Sequence, residues 1–229
     1  MTTALVLSDI HGKWEKARDI AARHPDVEYV FIAGDLTNFG SGEEVARIVD
    51  CICRGRKERA IVAVAGNCDT LSARKYMTEH GLSAENRLVR LPFGIVAGLG
   101  GGLKRAGVTP YERTESELRR SAESLLAQTA RIGSALPSIM LSHSPPHGSN
   151  ADLRHGQHVG SFELANLISV YNPQLWICGH IHESPCFSME DKTLIVNPGP
   201  CGYGNYAILN FAPRADGSVA ISGDLRRIQ

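Results

Sequence analysis

Ala4-Leu5-Val6-Leu7-Ser8-Asp9-Ile10-His11-Gly12 is a short apolar run that ends in an aspartate and a histidine two residues apart. Ala4 to Ser8 is too brief for a helix and reads as a buried strand. The amphipathic stretch Lys13 to Arg23 then reads as a helix. The same alternation repeats, with strands at Tyr29 to Ala33 and Ile61 to Ala65 and helices at Gly42 to Cys53 and Ser72 to His80. Glu43 and Glu44 suit the positive end of the second helix, and Gly81 closes the third. Strand and helix in strict alternation imply a parallel sheet joined by crossover helices.

The remainder supplies a second set of elements. Leu88 to Leu99 reads as two strands broken near Pro92, and Gly100-Gly101-Gly102 as a loop. Thr114 to Ile132 is a charged helix whose Thr114 and Glu117 have the spacing of a capping box. Ser138 to Ser142 and Leu175 to Cys178 are strand-like, with a helix from Ser161 to Tyr171 between them. Thr193 to Val196, Tyr206 to Phe211 and Val219 to Leu225 read as consecutive strands separated by turn residues. The simplest arrangement is two sheets packed face to face with helices outside each, formed by residues 1–229 as one domain. The strand ends before Asp9, Gly34, Gly66, His143 and Gly179 then meet on one edge, where open α/β sheets bind ligands.

Bulk properties narrow the classes. Lys plus Arg number 24 against 24 Asp plus Glu, so no net field draws the chain to nucleic acid or an anionic membrane. We expect no stable nucleic-acid complex. No apolar stretch reaches the ~18 residues of a membrane span. Met1 to Leu7 lacks the basic-then-apolar order of a secretory leader. The six cysteines form no paired C-x-x-C framework, which suits a reduced, cytoplasmic protein. Cys51 and Cys53 read as helical burial beside Ile48 and Val49 rather than as a metal pair. The oligomeric state is left open.

The chemistry lies at the strand ends: Asp9 and His11, Asp35 after Gly34, Asn67 and Asp69 in Gly66-Asn67-Cys68-Asp69, His143 after Ser142, and His180 and His182 in Gly179-His180-Ile181-His182. Two-residue spacing at a strand end puts both side chains on one side, so each pair can clamp an ion. A carboxylate such as Asp35 can bridge two cations, and Asn67 offers a neutral carbonyl oxygen. Mixed imidazole and carboxylate donors suit Mn, Fe, Zn or Ni better than Ca. Singly, each motif is a common turn or cap. Five in order, each closing an apolar strand, point to metal-assisted phosphoester hydrolysis.

From Asp9 to about Gly199 these motifs (Asp-x-His, Gly-Asp, Gly-Asn-x-Asp, His and Gly-His-x-His) resemble the calcineurin-like metallophosphoesterase superfamily. The resemblance implies a four-layer α/β/β/α sandwich of two mixed sheets with flanking helices. It also implies two divalent metal ions, manganese being favoured. Asp9, His11, Asp35 and His182 would hold one, and Asp35, Asn67, His143 and His180 the other. Two such ions ~3.5–4 Å apart share a hydroxide that attacks phosphorus in line. Asn67 could also donate to a phosphate oxygen.

Most relatives carry His after the Gly-Asn pair, where this chain has Cys68. A subgroup of bacterial and archaeal phosphodiesterases looks similar, with Gly-Asn-Cys-Asp. A thiol titrates near ~8.5 against ~6.5 for imidazole, so Cys68 is uncharged at neutral pH and a weak donor. The expectation is a phosphodiesterase acting on a small phosphoester or nucleotide-like substrate, with Cys68 and Asp69 beside the reacting group and His147 partly replacing the missing imidazole. Cys68 also reads as a space filler or a redox switch. A ligand-poor interaction scaffold of the same fold is the alternative function, which the filled ligand positions oppose. Asn38 is within reach of a supporting role, His155 and His158 read as surface residues, and Lys104 and Arg105 could reach substrate anions but read by default as a solvated basic pair. Gly98 to Gly102 lacks a P-loop ending. Gly100 to Arg113 and Gly148 to Gly160 carry no readable motif.

Overall fold

The computed structural model describes residues 1–105 and 108–229. The first half opens with β1 (Thr2–Leu7), α1 (Trp14–Ala22), β2 (Tyr29–Ala33), α2 (Gly42–Ile52), β3 (Ala60–Val64) and α3 (Leu71–Glu79). It continues with β4 (Leu88–Leu91), β5 (Gly94–Leu99), β6 (Gly102–Leu103), β7 (Glu112–Arg113) and α4 (Glu115–Ile132). Then follow β8 (Ser138–Ser142), β9 (Leu153–Arg154), β10 (Gln157–His158), α5 (Phe162–Tyr171) and β11 (Leu175–Ile177). The chain finishes with β12 (Cys186–Glu190), β13 (Thr193–Asn197), β14 (Asn205–Pro213) and β15 (Val219–Arg227).

Two mixed sheets result. One has the order β15-β14-β1-β2-β3, with β1, β2 and β3 parallel and the last two strands antiparallel. The other has the order β12-β13-β11-β8-β5-β4, a parallel centre with antiparallel edges. Alternation along each strand builds the layers. Leu5, Leu7, Val30 and Ile32 pack with α1, α2 and α3, while Ala4, Val6, Phe31 and Ala33 face the second sheet. On β8 and β11, Ile139, Leu141, Leu175 and Ile177 face the first sheet, while Met140 and Trp176 meet α4 and α5. This is the α/β/β/α sandwich. Between the sheets, Phe93 lies 4.3 Å from Phe211 and 4.8 Å from Tyr29 by ring centroids.

Local signals mostly hold. Thr114 accepts from the Glu117 amide while the Glu117 carboxylate accepts from the Thr114 amide, the full capping box. Cys51 is buried in α2, and all six cysteines are free. Three features depart from the sequence reading. β12 is an additional strand, half-exposed and antiparallel at a sheet edge, whose Cys-Phe-Ser-Met-Glu sequence shows no clean apolar run. Gly102–Leu103 is not loop but pairs with Glu112–Arg113 as a small parallel ribbon. Gly148 to Gly160 holds the β9–β10 hairpin. Ala106 and Gly107 lie outside the described residues. No described helix is long and apolar enough to cross a membrane.

Arg59 anchors the helical layer. Its buried guanidinium donates to the carbonyls of Ala21, His24, Val27 and Ile52, at distances of 2.5–3.1 Å, tying the ends of α1 and α2 to β3. Helix C-terminal carbonyls lack intrahelical donors and favour a cation. Replacing Arg59 with Met strands these acceptors, so Arg59→Met is expected to lower unfolding free energy by about 2–4 kcal/mol in urea titration. A loss below about 1 kcal/mol would show that water satisfies the carbonyls instead.

Candidate metal centre

The loops after β1, β2, β3, β8 and β11 meet at one edge of the sandwich. Backbone bonds align them: Asp9 N donates to Gly34 O, His11 N to Asp35 O, His143 N to Leu99 O, and Gly179 N to His143 O. Asp9, His11, Asp35 and His180 all have φ between 48° and 71°. Left-handed backbone is uncommon for such residues and collects at functional sites. The glycines before two ligands follow from crowding. A Cβ on Gly34 would lie 2.3 Å from His143 Nδ1, and one on Gly66 would lie 2.0 Å from Asp35 Oδ1.

Asp35 sits at the centre. Its Oδ1 accepts the Cys68 amide at 2.7 Å. Its Oδ2 faces His11 Nε2 at 3.7 Å and His143 Nε2 at 3.5 Å. On one side His182 Nε2 lies 3.2 Å from Asp9 Oδ1 and 3.4 Å from His11 Nε2. On the other, His143 Nε2 lies 3.0 Å from Asn67 Oδ1, and the His143 and His180 rings are 4.9 Å apart. The structure therefore gathers the seven expected residues in one cluster around Asp35. Three overlapping sets, Asp9 with His11 and His182, His11 with Asp35 and Cys68, and Asp9 with Asp35 and His143, place donor atoms close enough to hold a metal ion.

The donor chemistry fits cations. His143 Nδ1 lies 2.8 Å from Ala33 O, which accepts a hydrogen bond from its N–H. In the neutral ring Nε2 then presents a lone pair to Asn67 Oδ1 and Asp35 Oδ2, and three acceptors converge. Asn67 is oriented for this because its Nδ2 donates to Cys68 Sγ at 3.4 Å. Burial opposes the charged His143, but Asp35 outweighs it and the pKa is pushed up to about 9. Burial also opposes the charge on Asp35, yet His143 holds its carboxyl far below the usual range. Burial drops His180 to about 4, leaving it neutral and ready to ligate. Metal binding at such sites displaces protons.

Cys68 is buried beside His11 and Asp35, and burial with the Asp35 charge drives its thiol pKa strongly upward. Asp69 is fully buried. It accepts from the amides of Leu36, Thr37 and Gly66 and from the Thr37 hydroxyl at 2.8–3.2 Å, which pins the β2 and β3 loops together. Burial and Asp35 push its pKa up to about 6. His147 is stacked on Phe162 at 3.6 Å, with its ring 5.6 Å from that of His158. Asn38 is exposed and lines a hollow of ≈ 220 Å³ with His11, Lys13, His182 and Tyr203. A second hollow of ≈ 300 Å³ opens at Asn67 and His180. Asn197 holds the Gly-His-x-His loop by donating to Ile181 O at 3.0 Å. His155 is exposed, but His158 pairs with buried Asp152. Asp152 also accepts from the Gly148 and Gly160 amides and so shapes its loop, a role that no motif marks.

Comparisons with known proteins give the fold and the family. An uncharacterized protein of Methanocaldococcus jannaschii is 30% identical over 205 residues, covering 87% of this chain and 89% of its own length. The crystal structure of TT1561 of Thermus thermophilus superposes with a TM-score of 0.69 at 17% identity, covering 96% of this chain and 98% of that one. A dimetal phosphatase from Danio rerio superposes with a TM-score of 0.60 at 12% identity, covering 91% and 92%. The family model of the calcineurin-like phosphoesterases matches residues 2–184, and the chain belongs to that family.

Proposed function

We propose that the chain is a cytoplasmic, metal-dependent phosphodiesterase for a small or nucleotide-like phosphoester, with manganese the favoured ion. The observation carrying this reading is the shared carboxylate: one Asp35 oxygen is tied to the Cys68 amide, and the other faces both His11 and His143. Asp9, His11 and His182 complete one ligand group, and Asn67, His143 and His180 the other. The Danio rerio neighbour's description as a dimetal phosphatase agrees with two ions. Free cysteines suit a reducing compartment.

When bound, two such cations supply the charge that acidifies a water and neutralises phosphoryl oxygens. The chain's own residues do the rest. The Ala33 carbonyl fixes the His143 tautomer, and Cys68 turns the Asn67 carbonyl oxygen toward the ligands. Asp69 is a positioning residue that keeps the loop of Asp35 against the loop of Asn67. Cys68, with its thiol held neutral and buried, is a poor acid for a departing alkoxide. Diesters with stable leaving groups are then favoured over alkyl monoesters. We assign His147, packed on Phe162, no proton transfer.

Protein supplied with manganese is expected to hydrolyse bis(p-nitrophenyl) phosphate, and EDTA to abolish the activity. Asp35→Asn is expected to lose more than the roughly 10–100-fold typical of outer-shell changes. Retention of full activity without metal, or no turnover with manganese, zinc or iron, would overturn the reading. Cys68→His is expected to raise glycerol phosphate turnover relative to the diester by at least ~10-fold, since a placed acid contributes roughly 10²–10⁴. An unchanged ratio would assign Cys68 to packing alone.

A further inference from the structure

The hollow of ≈ 300 Å³ beside Asn67 and His180 has walls from the two stretches that lack a readable motif. One wall comes from the β6–β7 ribbon and the following chain, with Leu103, Arg105 and Glu112. The other comes from the β9–β10 hairpin and its continuation, with Arg154 and Val159. The two walls are joined, since Arg105 Nη2 donates to Val159 O at 2.6 Å. Leu103 N donates to Ser144 Oγ at 2.8 Å, which fastens the ribbon next to His143. Buried Asp152 fixes the hairpin that carries Arg154.

The charges in this hollow are unequal. Glu112 accepts from the Thr109 amide and hydroxyl, so its carboxylate is already engaged. Among the described residues Arg154 has one loose carboxylate partner, Glu183, at 3.9 Å. Arg105 has no carboxylate partner among the described residues. Two guanidinium groups thus border a space that opens directly onto one side of the ligand cluster. Guanidinium is the side chain best shaped for phosphate, which it binds through paired N–H donors.

We propose that Arg105 and Arg154 recognise a second phosphate on the substrate, held in this hollow while the scissile phosphate sits at the metal ligands. The inference rests on the phosphoesterase reading and names its substrate class: a compound carrying two phosphoryl groups, such as a nucleoside bisphosphate ester. The opposite hollow, with Lys13 Nζ 4.3 Å from the Tyr203 ring centroid, has a single cation and an exposed aromatic face. It suits the less charged portion of the same molecule.

The test is calorimetric and does not need turnover. Thymidine 3′,5′-bisphosphate and thymidine 5′-monophosphate are titrated into manganese-loaded protein and into metal-free protein. The bisphosphate is expected to bind at least ~10-fold more tightly in both states. The preference should disappear in Arg105→Gln/Arg154→Gln and persist in Arg131→Gln, an exposed charge control on α4. Equal affinities in wild type, no measurable bisphosphate binding, or an unaltered preference in the double variant would each overturn the proposal. Failure of the phosphoesterase reading looks different, because it appears as no metal-dependent hydrolysis of bis(p-nitrophenyl) phosphate whatever the binding data show.

Discussion

Asp35 is the constraint on which the site depends. A buried carboxylate is costly unless cations and donors surround it. Here the Cys68 amide takes one oxygen and two imidazoles from distant parts of the chain take the other. That demand fixes the turn after β2 in a left-handed conformation and excludes a side chain at Gly34 and at Gly66. The Asp35 charge also favours the protonated form of its neighbour His143 against the opposing effect of burial. Three buried carboxylates, Asp9, Asp35 and Asp69, lie at this edge, and the converging loops supply the donors that surround them.

The parts of the fold and site that were legible are those whose signal is local. Alternating apolar strands and amphipathic helices gave the first sheet, because the period of each element is written in consecutive residues. The candidate ligands stood out because metal chemistry restricts donor types and because each follows closely on a strand. Asp69 illustrates the limit. Its place in Gly-Asn-Cys-Asp could be read, but its partners Leu36 and Thr37 lie more than thirty positions away and use backbone amides that any residue possesses. Arg59 and Asp152 escaped for the same reason, since carbonyls and amides leave no trace in sequence. β12 escaped because an edge strand buries little and needs no apolar pattern.

His147 has partners that its place in the sequence does not announce. It follows His143 by four residues, and two prolines between them suggest a stiff loop beside the site. In the structure the His147 amide donates to Ser161 O and the ring lies on Phe162. Arg105 is a similar case: a basic residue that read by default as solvated lines a hollow together with two ligands.

The ligands divide between the two sheets. Asp9, His11, Asp35 and Asn67 follow strands of the first, and His143, His180 and His182 follow strands of the second. Any cation held there would join the two sheets, and the aromatic cluster of Tyr29, Phe93 and Phe211 packs between them as a spacer. Packed interiors transmit displacement rather than absorb it. A change of volume in that spacer, far from any reacting atom, therefore translates into a change in bite between two halves of a coordination sphere.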